Sequence, residues 1–364
     1  MKRVQNSIWN IELDSGQYKR RWWWWFWLFF MDNPNDPKHP MQLAAMWSTK
    51  DCDRFRINDT WWIREKGIHK KGNKIEFAGA LGAWFYDGSE MIEPIILDKR
   101  DFAVENNHDH GSLVSMDDES YAFLGGPGGY QVKLKKKGFD ADLHLTSTND
   151  PLSQDKYSQN NFYFGYGFDI LKLRRMNLKG FIRNNGENTE VKGTAYFQKV
   201  RISAPIIPPW YWGTIHMEDG SYFQYYMLHL GPPMFRRKDS LGSPLDWGER
   251  YISKSISFYS KGEETAYEFK DVRISKAFNK IGLPVFRLYG KNGKQKISFT
   301  LNSYSRATWY FEQPMLRLIK TLMYYNEYPV TVSGFSFESQ GKRKTQKDLG
   351  RGVGNSEHAW GCLI

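Results

Sequence analysis

The side chains that could do chemistry in this sequence sit on aromatic stretches. Around Asp219-Gly220 a two-residue turn predicts that His216 faces Phe223, Thr214 faces Tyr225, Trp212 faces Met227 and Trp210 faces His229. One face of that hairpin then carries Trp210, Trp212, His216, Tyr225 and His229. Large π surfaces beside titratable groups suit an apolar pocket with a few polar anchors, and two satisfied core histidines explain the pattern equally well. Glu338 follows Phe335-Ser336-Phe337, and Asp169 closes Tyr166-Gly167-Phe168-Asp169. A carboxylic acid in an apolar wall keeps its proton near neutrality. Aromatic faces beside it stabilise a passing cation by about 2 kcal/mol or more when desolvated. Glu338 is therefore the first candidate proton donor and Asp169 the second. Trp210 and Trp212 would face the cation, with His216 or Tyr225 orienting a water.

A second aromatic stretch runs from Arg21 to Phe30 and includes five tryptophans. Alternation puts Trp22, Trp24, Phe26, Leu28 and Phe30 on one face and Trp23, Trp25, Trp27 and Phe29 on the other. A strand with two aromatic faces needs cover on both sides. Either one face, with Trp24, lines an apolar ligand cavity while the other packs on a second domain, or both faces are plain core. A tryptophan belt at a membrane surface is a third reading.

Other chemistries lack their motifs. Gly125-Gly126-Pro127-Gly128-Gly129 has no Lys-Ser/Thr after it and reads as a turn, not a phosphate loop. His108-Asp109-His110 lies in a polar loop with no third ligand near it, so no metal is expected. There is no Gly-x-Ser-x-Gly elbow, no His-Glu-x-x-His and no dinucleotide fingerprint, and no cofactor is expected. Cys52 and Cys362, the only cysteines, lack zinc spacing and fit a reducing compartment. The ten apolar residues from Trp22 to Met31 are half of what a spanning helix needs. The sequence therefore reads as a soluble, cytoplasmic protein. The net charge of +11 comes from clusters such as Lys133 to Lys137 beside turns. Those read as solvated hairpin tips and edge lysines, and no nucleic-acid partner is expected.

The elements that must position these groups are strands. Asp87-Gly88, Asn184-Asn185-Gly186, Asp219-Gly220 and Asn292-Gly293 each separate two apolar alternations, the strongest short-range hairpin signal. One helix is expected, over Pro314 to Tyr325, from the spacing of Met315, Leu318, Ile319 and Leu322. The 364 residues allow about two domains. Pro205, Pro208 and Pro209 cannot sit in a central ladder and mark the junction. The expectation is an all-β protein of two antiparallel barrels, residues 1–204 and 205–364, with one short helix near the C-terminus.

Several motifs resemble one family. Gly180-Phe181-Ile182, Val191-Lys192-Gly193-Thr194-Ala195-Tyr196-Phe197, Trp210-Tyr211-Trp212 and Asp219-Gly220-Ser221 look like the central block of the carotenoid 1,2-hydratase (hydroxyneurosporene synthase) and AttH-like superfamily. The tryptophan run and Phe139-Asp140-Ala141-Asp142-Leu143-His144-Leu145 are similar to its first domain, and Val332-Ser333-Gly334-Phe335-Ser336-Phe337-Glu338 to its closing strand. Gln198-Lys199-Val200-Arg201-Ile202 departs from the hydratases' Asp-His-x-Trp-Gly-like stretch, so the polar residues there do not carry over. The resemblance implies two lipocalin-like barrels side by side with an apolar site near their contact. It also implies hydration of isoprenoid double bonds or cyclisation of polyene chains.

Two classes of function follow. In one, an isoprenoid hydratase (a hydro-lyase), cyclase or isomerase works by acid catalysis on a hydrophobic small molecule, with contact to a membrane surface for substrate access. In the other, the protein is a carrier of a lipid or similar ligand and turns nothing over.

Overall fold

The computed structural model describes residues 8–11, 21–50, 54–63, 68–107, 110–126, 128–148, 158–161, 167–203, 209–229, 251–316 and 319–363. Up to residue 203 the strands are β1 (Arg21–Met31), β2 (Met41–Lys50), β3 (Arg54–Ile57), β4 (Thr60–Ile63), β5 (His69–Lys71), β6 (Lys74–Tyr86), β7 (Met91–Asn107), β8 (His110–Ser115), β9 (Tyr121–Gly126), β10 (Gly129–Lys136), β11 (Phe139–Ser147), β12 (Ser158–Asn161), β13 (Gly167–Asn184) and β14 (Glu187–Ser203). From residue 210 they are β15 (Trp210–Met217), β16 (Tyr222–His229), β17 (Tyr251–Ser260), β18 (Thr265–Phe269), β19 (Asp271–Phe278), β20 (Pro284–Asn292), β21 (Gln295–Ser303), β22 (Ala307–Leu316), β23 (Ile319–Ser339), β24 (Lys342–Thr345) and β25 (Gly352–Leu363).

The first sheet runs β11-β10-β9-β8-β7-β6-β2-β1-β14-β13, and β13 pairs back onto β11. Ten antiparallel strands thus close a barrel and leave no edge within that ring. Turn chemistry sets the register where the sequence predicts it. Asn184 pairs with Glu187 across Asn185 and Gly186, both at positive φ (50° and 91°), which is what a two-residue primed turn requires. The second sheet runs β18-β17-β16-β15-β25-β23-β21-β20-β19 and wraps round its own core. The two lipocalin-like units are joined by more than the connecting chain. The β3–β4 hairpin leaves the first unit and adds to β22 of the second, with Phe311 opposite Ile57. The proline-rich junction, residues 204–208, lies outside the described residues.

Alternation divides the tryptophan run between two environments. Trp23, Trp25, Trp27 and Phe29 belong to the first barrel's core. Trp22, Phe26, Leu28 and Phe30 belong to a separate cluster that includes Trp84, Tyr196, Trp212, Trp309 and Phe311. That cluster draws on both sheets, so the outer face of β1 is buried against the second unit. Among the described residues no helix is long and apolar enough to cross a membrane.

Two local expectations are corrected. Pro314 to Tyr325 is not a helix. β22 reaches Leu316, β23 starts at Ile319, and Leu316 pairs with Ile319; residues 317 and 318 lie outside the described residues. Spacing alone could not separate a helix face from a hairpin here, and Thr321-Leu322-Met323-Tyr324-Tyr325 suits a strand between two neighbours. The helix near the C-terminus is the single turn Gln346–Leu349. The Asp219-Gly220 hairpin is also displaced by one residue: His216 pairs with Tyr222, Gly213 with Tyr225 and Trp212 with Tyr226. Asp219 accepts hydrogen bonds from both the amide and the hydroxyl of Ser221, and Met217 N donates to Ser221 O, so the loop takes three residues instead of two. A one-residue shift moves every side chain of β16 to the other face.

Gly82 on β6 tests the contact between the units, because a Cβ there would lie 3.1 Å from Trp309 Cη2. Gly82→Val is expected to lower stability by about 1–3 kcal/mol through overpacking, read as an earlier urea midpoint. An unchanged midpoint would mean that Trp309 does not seat against the first barrel.

Candidate functional site

β23 and β25 run side by side through the middle of the second sheet, and their register sets Glu327 opposite Glu357. Opposed residues share a face, with Cβ atoms about 4.5–5.5 Å apart. That face is the one turned to the first barrel, since Tyr325 and Ala359 lie one step along it and Trp212 lies opposite Glu357 on β15. Both carboxyl groups are buried: Glu327 is fully enclosed and Glu357 is 3% exposed.

Two donors reach them, and a hydroxyl lies beside them. Trp210 Nε1 donates to Glu357 Oε2 at 3.0 Å, Asn355 Nδ2 donates to Glu327 Oε2, and the Tyr325 hydroxyl interacts with both groups. Burial pushes Glu357 up to about 7, against the opposing effect of its bonds from Trp210 and Tyr325. Glu327 rises well above the ordinary range, first through burial and then through the negative charge of Glu357. Two like charges on neighbouring strands in an apolar wall do not both form. Above about pH 7 the pair therefore shares one proton. Oε1 of each glutamate is buried without a hydrogen-bond partner among the described residues.

Rings enclose this pair. Trp210 lies 5.7 Å from Tyr325, Tyr325 6.4 Å from Phe311, Phe311 5.3 Å from Trp22 and Trp22 5.3 Å from Trp24. Trp212 meets Tyr196 of the first barrel at 5.3 Å. Trp24, Ile202, Trp210, Tyr226 and Met323 are only half-buried and form the rim of the cluster. The arrangement can deliver one proton and accept another within an aromatic enclosure.

The residues singled out from the sequence fall in different places. Trp24, Trp210 and Trp212 belong to this enclosure. Glu338 does not: its side chain is 44% exposed and lies 3.7 Å from Lys296, while Phe335 and Phe337 point the other way into the second core. Asp169 is buried inside the first barrel and ion-paired with Arg201, away from this enclosure. His216 is a satisfied core residue. Its Nδ1 lies 2.8 Å from the Thr194 hydroxyl and its Nε2 donates to Arg174 O at 2.8 Å. Burial, followed by the charge of Arg175, holds its pKa well below the usual histidine value. Tyr225, turned over by the register shift, is buried in the second core, with its hydroxyl 2.5 Å from Ser356 Oγ. His229 ends β16, and its side chain lies outside the described residues, as do His108 and Asp109. Among the described residues no cluster of histidine, cysteine and acidic groups could hold a metal ion.

The sequence reading missed Glu327, Glu357, Tyr325 and Asn355. A signal was present: Met323, Tyr325 and Glu327 alternate with Tyr324, Asn326 and Tyr328, which makes Glu327 the end of an apolar face once the segment is read as strand.

No protein-family model matches the sequence, and no curated protein matches it either. Solved structures do match. A protein described as AttH from Nitrosomonas europaea aligns over 96% of this chain and 97% of its own, at 12% identity and a TM-score of 0.53. The chain has the AttH-like double-barrel fold. CghA is similar over 94% of this chain and 88% of its own, at 10% identity and a TM-score of 0.54. At these identities the likeness is one of fold, and the chemistry rests on the residues.

The buried pair has a consequence for stability. Both glutamates have folded-state values raised above the ordinary 4.5, so folding favours their protonated forms. The stability linked to Glu357 is complete below about pH 4.5 and is lost as pH rises through about 7. Between pH 5 and pH 7.5 the wild type should therefore lose stability relative to Glu357→Gln in urea denaturation. If the difference between the two proteins stays constant across that interval, the carboxyl is not held as described.

Proposed function

We propose that the protein catalyses proton-initiated chemistry on a carbon–carbon double bond of an apolar substrate, an isoprenoid or other polyene, at the contact between its two barrels. The observation that carries this reading is the opposed, buried pair Glu327 and Glu357, set among Trp210, Trp212 and Tyr325. Glu327 donates its proton to one alkene carbon, forming a C–H bond and leaving a cation on the other. The indole and phenol faces stabilise that cation as it forms, and they act on the transition state more than on the bound alkene.

The fate of the cation depends on Glu357. If a water adds, Glu357 takes the proton released as the C–O bond forms, and the net reaction is hydration. If Glu357 instead takes a proton from a neighbouring carbon, the net reaction is isomerisation, or cyclisation when a second double bond has added first. In each case one proton leaves Glu327 and one arrives on Glu357. The Tyr325 hydroxyl, which interacts with both, can return it. A carrier needs apolar walls only. Two carboxyl groups opposed at the contact would cost it stability and add nothing to binding.

Glu327→Gln keeps the shape but has no proton to give, and it is expected to slow turnover of an isoprenoid alkene about a hundredfold to ten-thousandfold. Binding should be retained, since the wild-type group is neutral at rest. With the wild type, the rate should rise as pH passes through about 7, where Glu357 becomes a base. Normal turnover by both Glu327→Gln and Glu357→Gln would exclude the pair from the chemistry and leave the carrier reading.

A further inference from the structure

The side chains that face the glutamate pair from the first unit end in a polar group. Tyr196, Leu28, Ala44 and Trp84 stand in register across β14, β1, β2 and β6, all on the outer face. Trp212, Glu357, Glu327 and Ala307 form the matching row across β15, β25, β23 and β22. Ring contact ties Tyr196 to Trp212 at one end. At the other end Gly82, the next residue on the face of Trp84, abuts Trp309, the next on the face of Ala307. The first row therefore lies along the second, with Leu28 and Ala44 facing the carboxyl groups and Trp84 beyond Glu327.

Three polar atoms of this region are buried and have no hydrogen-bond partner among the described residues: Trp84 Nε1, Gln42 Oε1 and Asn355 Oδ1. Trp84 is 1% exposed, and the two amides are fully enclosed. Gln42 is the diagonal neighbour of Trp84, since Gln42 pairs with Tyr86 and Ala44 with Trp84. Its amide has one possible orientation. Nε2 donates to Gly354 O at 2.8 Å and to the Tyr304 hydroxyl at 2.9 Å, whose own proton goes to Pro40 O. Only the nitrogen can serve both acceptors, so Oε1 is the atom left over. The bond to Gly354 also sets Gln42 beside Asn355, whose Nδ2 donates to Glu327 Oε2. A buried donor or acceptor left unpaired destabilises a fold. A contact that served only to hold two barrels together would have no use for these three.

One donor and two acceptors fit a hydroxyl, which accepts from the indole and donates to an amide oxygen. A carbonyl would use the donor alone and leave both amide oxygens unpaired. An ammonium would leave the indole unpaired. We propose that the substrate of this site is an isoprenoid alcohol and not a hydrocarbon polyene, with its hydroxyl held by Trp84 Nε1 on one side and by Gln42 Oε1 or Asn355 Oδ1 on the other. The inference rests on the reading that an apolar chain occupies the contact between the barrels, and it names the group that fixes that chain in place. An anchored hydroxyl sets which double bond stands at Glu327 and Glu357, so Trp84 and Gln42 determine specificity.

The test is calorimetric binding of three ligands to the full wild-type chain below about pH 5, where Glu357 carries its proton. Farnesol, its methyl ether and the triene with hydrogen in place of the hydroxyl differ only at the group in question. A purely apolar wall would rank the hydrocarbon first, because burying an unpaired hydroxyl is costly. The hydroxyl site should rank farnesol first, about tenfold or more above the hydrocarbon. The ether should fall between them, since it accepts from Trp84 and donates nothing. Trp84→Phe should cost farnesol about tenfold and leave the hydrocarbon within about twofold. Glu327→Gln should keep the preference for farnesol. Normal turnover by both glutamate variants would thus overturn the catalytic reading and leave the hydroxyl site standing. Equal affinity for farnesol and either analogue overturns the proposal, as does an undiminished preference in folded Trp84→Phe. Should that variant not fold, the wild-type ligand series decides. If none of the three ligands binds, the proposal falls together with the reading on which it rests.

Discussion

Two carboxyl groups opposed on adjacent strands, away from water, dominate this structure. Each is costly to bury ionised, and the second more so beside the first. The surrounding residues lessen that cost without abolishing it. Trp210 and Asn355 supply one hydrogen bond each, and the Tyr325 hydroxyl interacts with both. Among the described residues no ion pair neutralises the two groups: Arg56 and Lys320 go instead to Glu312, and Arg201 to Asp169. The proton itself is the counter-ion, which is what a group that gives and retakes a proton requires.

The double barrel makes such a site by joining two outer faces. In a single lipocalin-like unit the outer face meets water and the inner face is filled by its own core. Here the outer faces of β1 and β14 meet the outer faces of β15, β23 and β25, and the aromatic residues of both close over the glutamates. Polar contacts hold the two units in place: His216 to Thr194 and Arg174, Arg175 to Met217 O, and Arg174 to Ser257. His216 serves this purpose as a neutral ring because burial disfavours its charge. The hairpin of β3 and β4 adds a covalent strap, passing from the first unit to the edge of the second.

Much of the fold was legible in the sequence because its signals are local. Turn dipeptides mark the hairpins, and a strand aromatic on both faces has to be covered twice. The site was less legible because opposition across strands depends on register, which is set at a distance. Tyr225 was placed beside Trp212 by assuming a two-residue loop, and the two bonds from Ser221 to Asp219 move it to the opposite face. Glu338 was chosen for its neighbours in sequence, Phe335 and Phe337. In a strand adjacent residues face opposite ways, so aromatic neighbours at one and three residues argue for an exposed acid. The informative neighbours lie two apart, as Tyr325 does from Glu327. The helical reading of Pro314 to Tyr325 concealed that relation, because it ended the segment just before the glutamate.

β1 is the wall common to the two interiors, and its alternation explains why one strand needs so many tryptophans. Trp25 points inward, where its indole N–H holds the N-terminal segment, and Trp22 and Trp24 point outward, towards the ring series that ends at Tyr325 and Trp210. Indoles suit both sides, since each offers a broad apolar face and one donor that can be aimed. The donors are used differently on the two sides. Trp25 meets a backbone carbonyl, while Trp22 spends its donor on Ser48 within the first sheet and leaves its face for packing. On the outer side the Trp22 donor is thus turned back into its own sheet, and the carboxyl chemistry at the contact is left to the strands that carry Glu327 and Glu357.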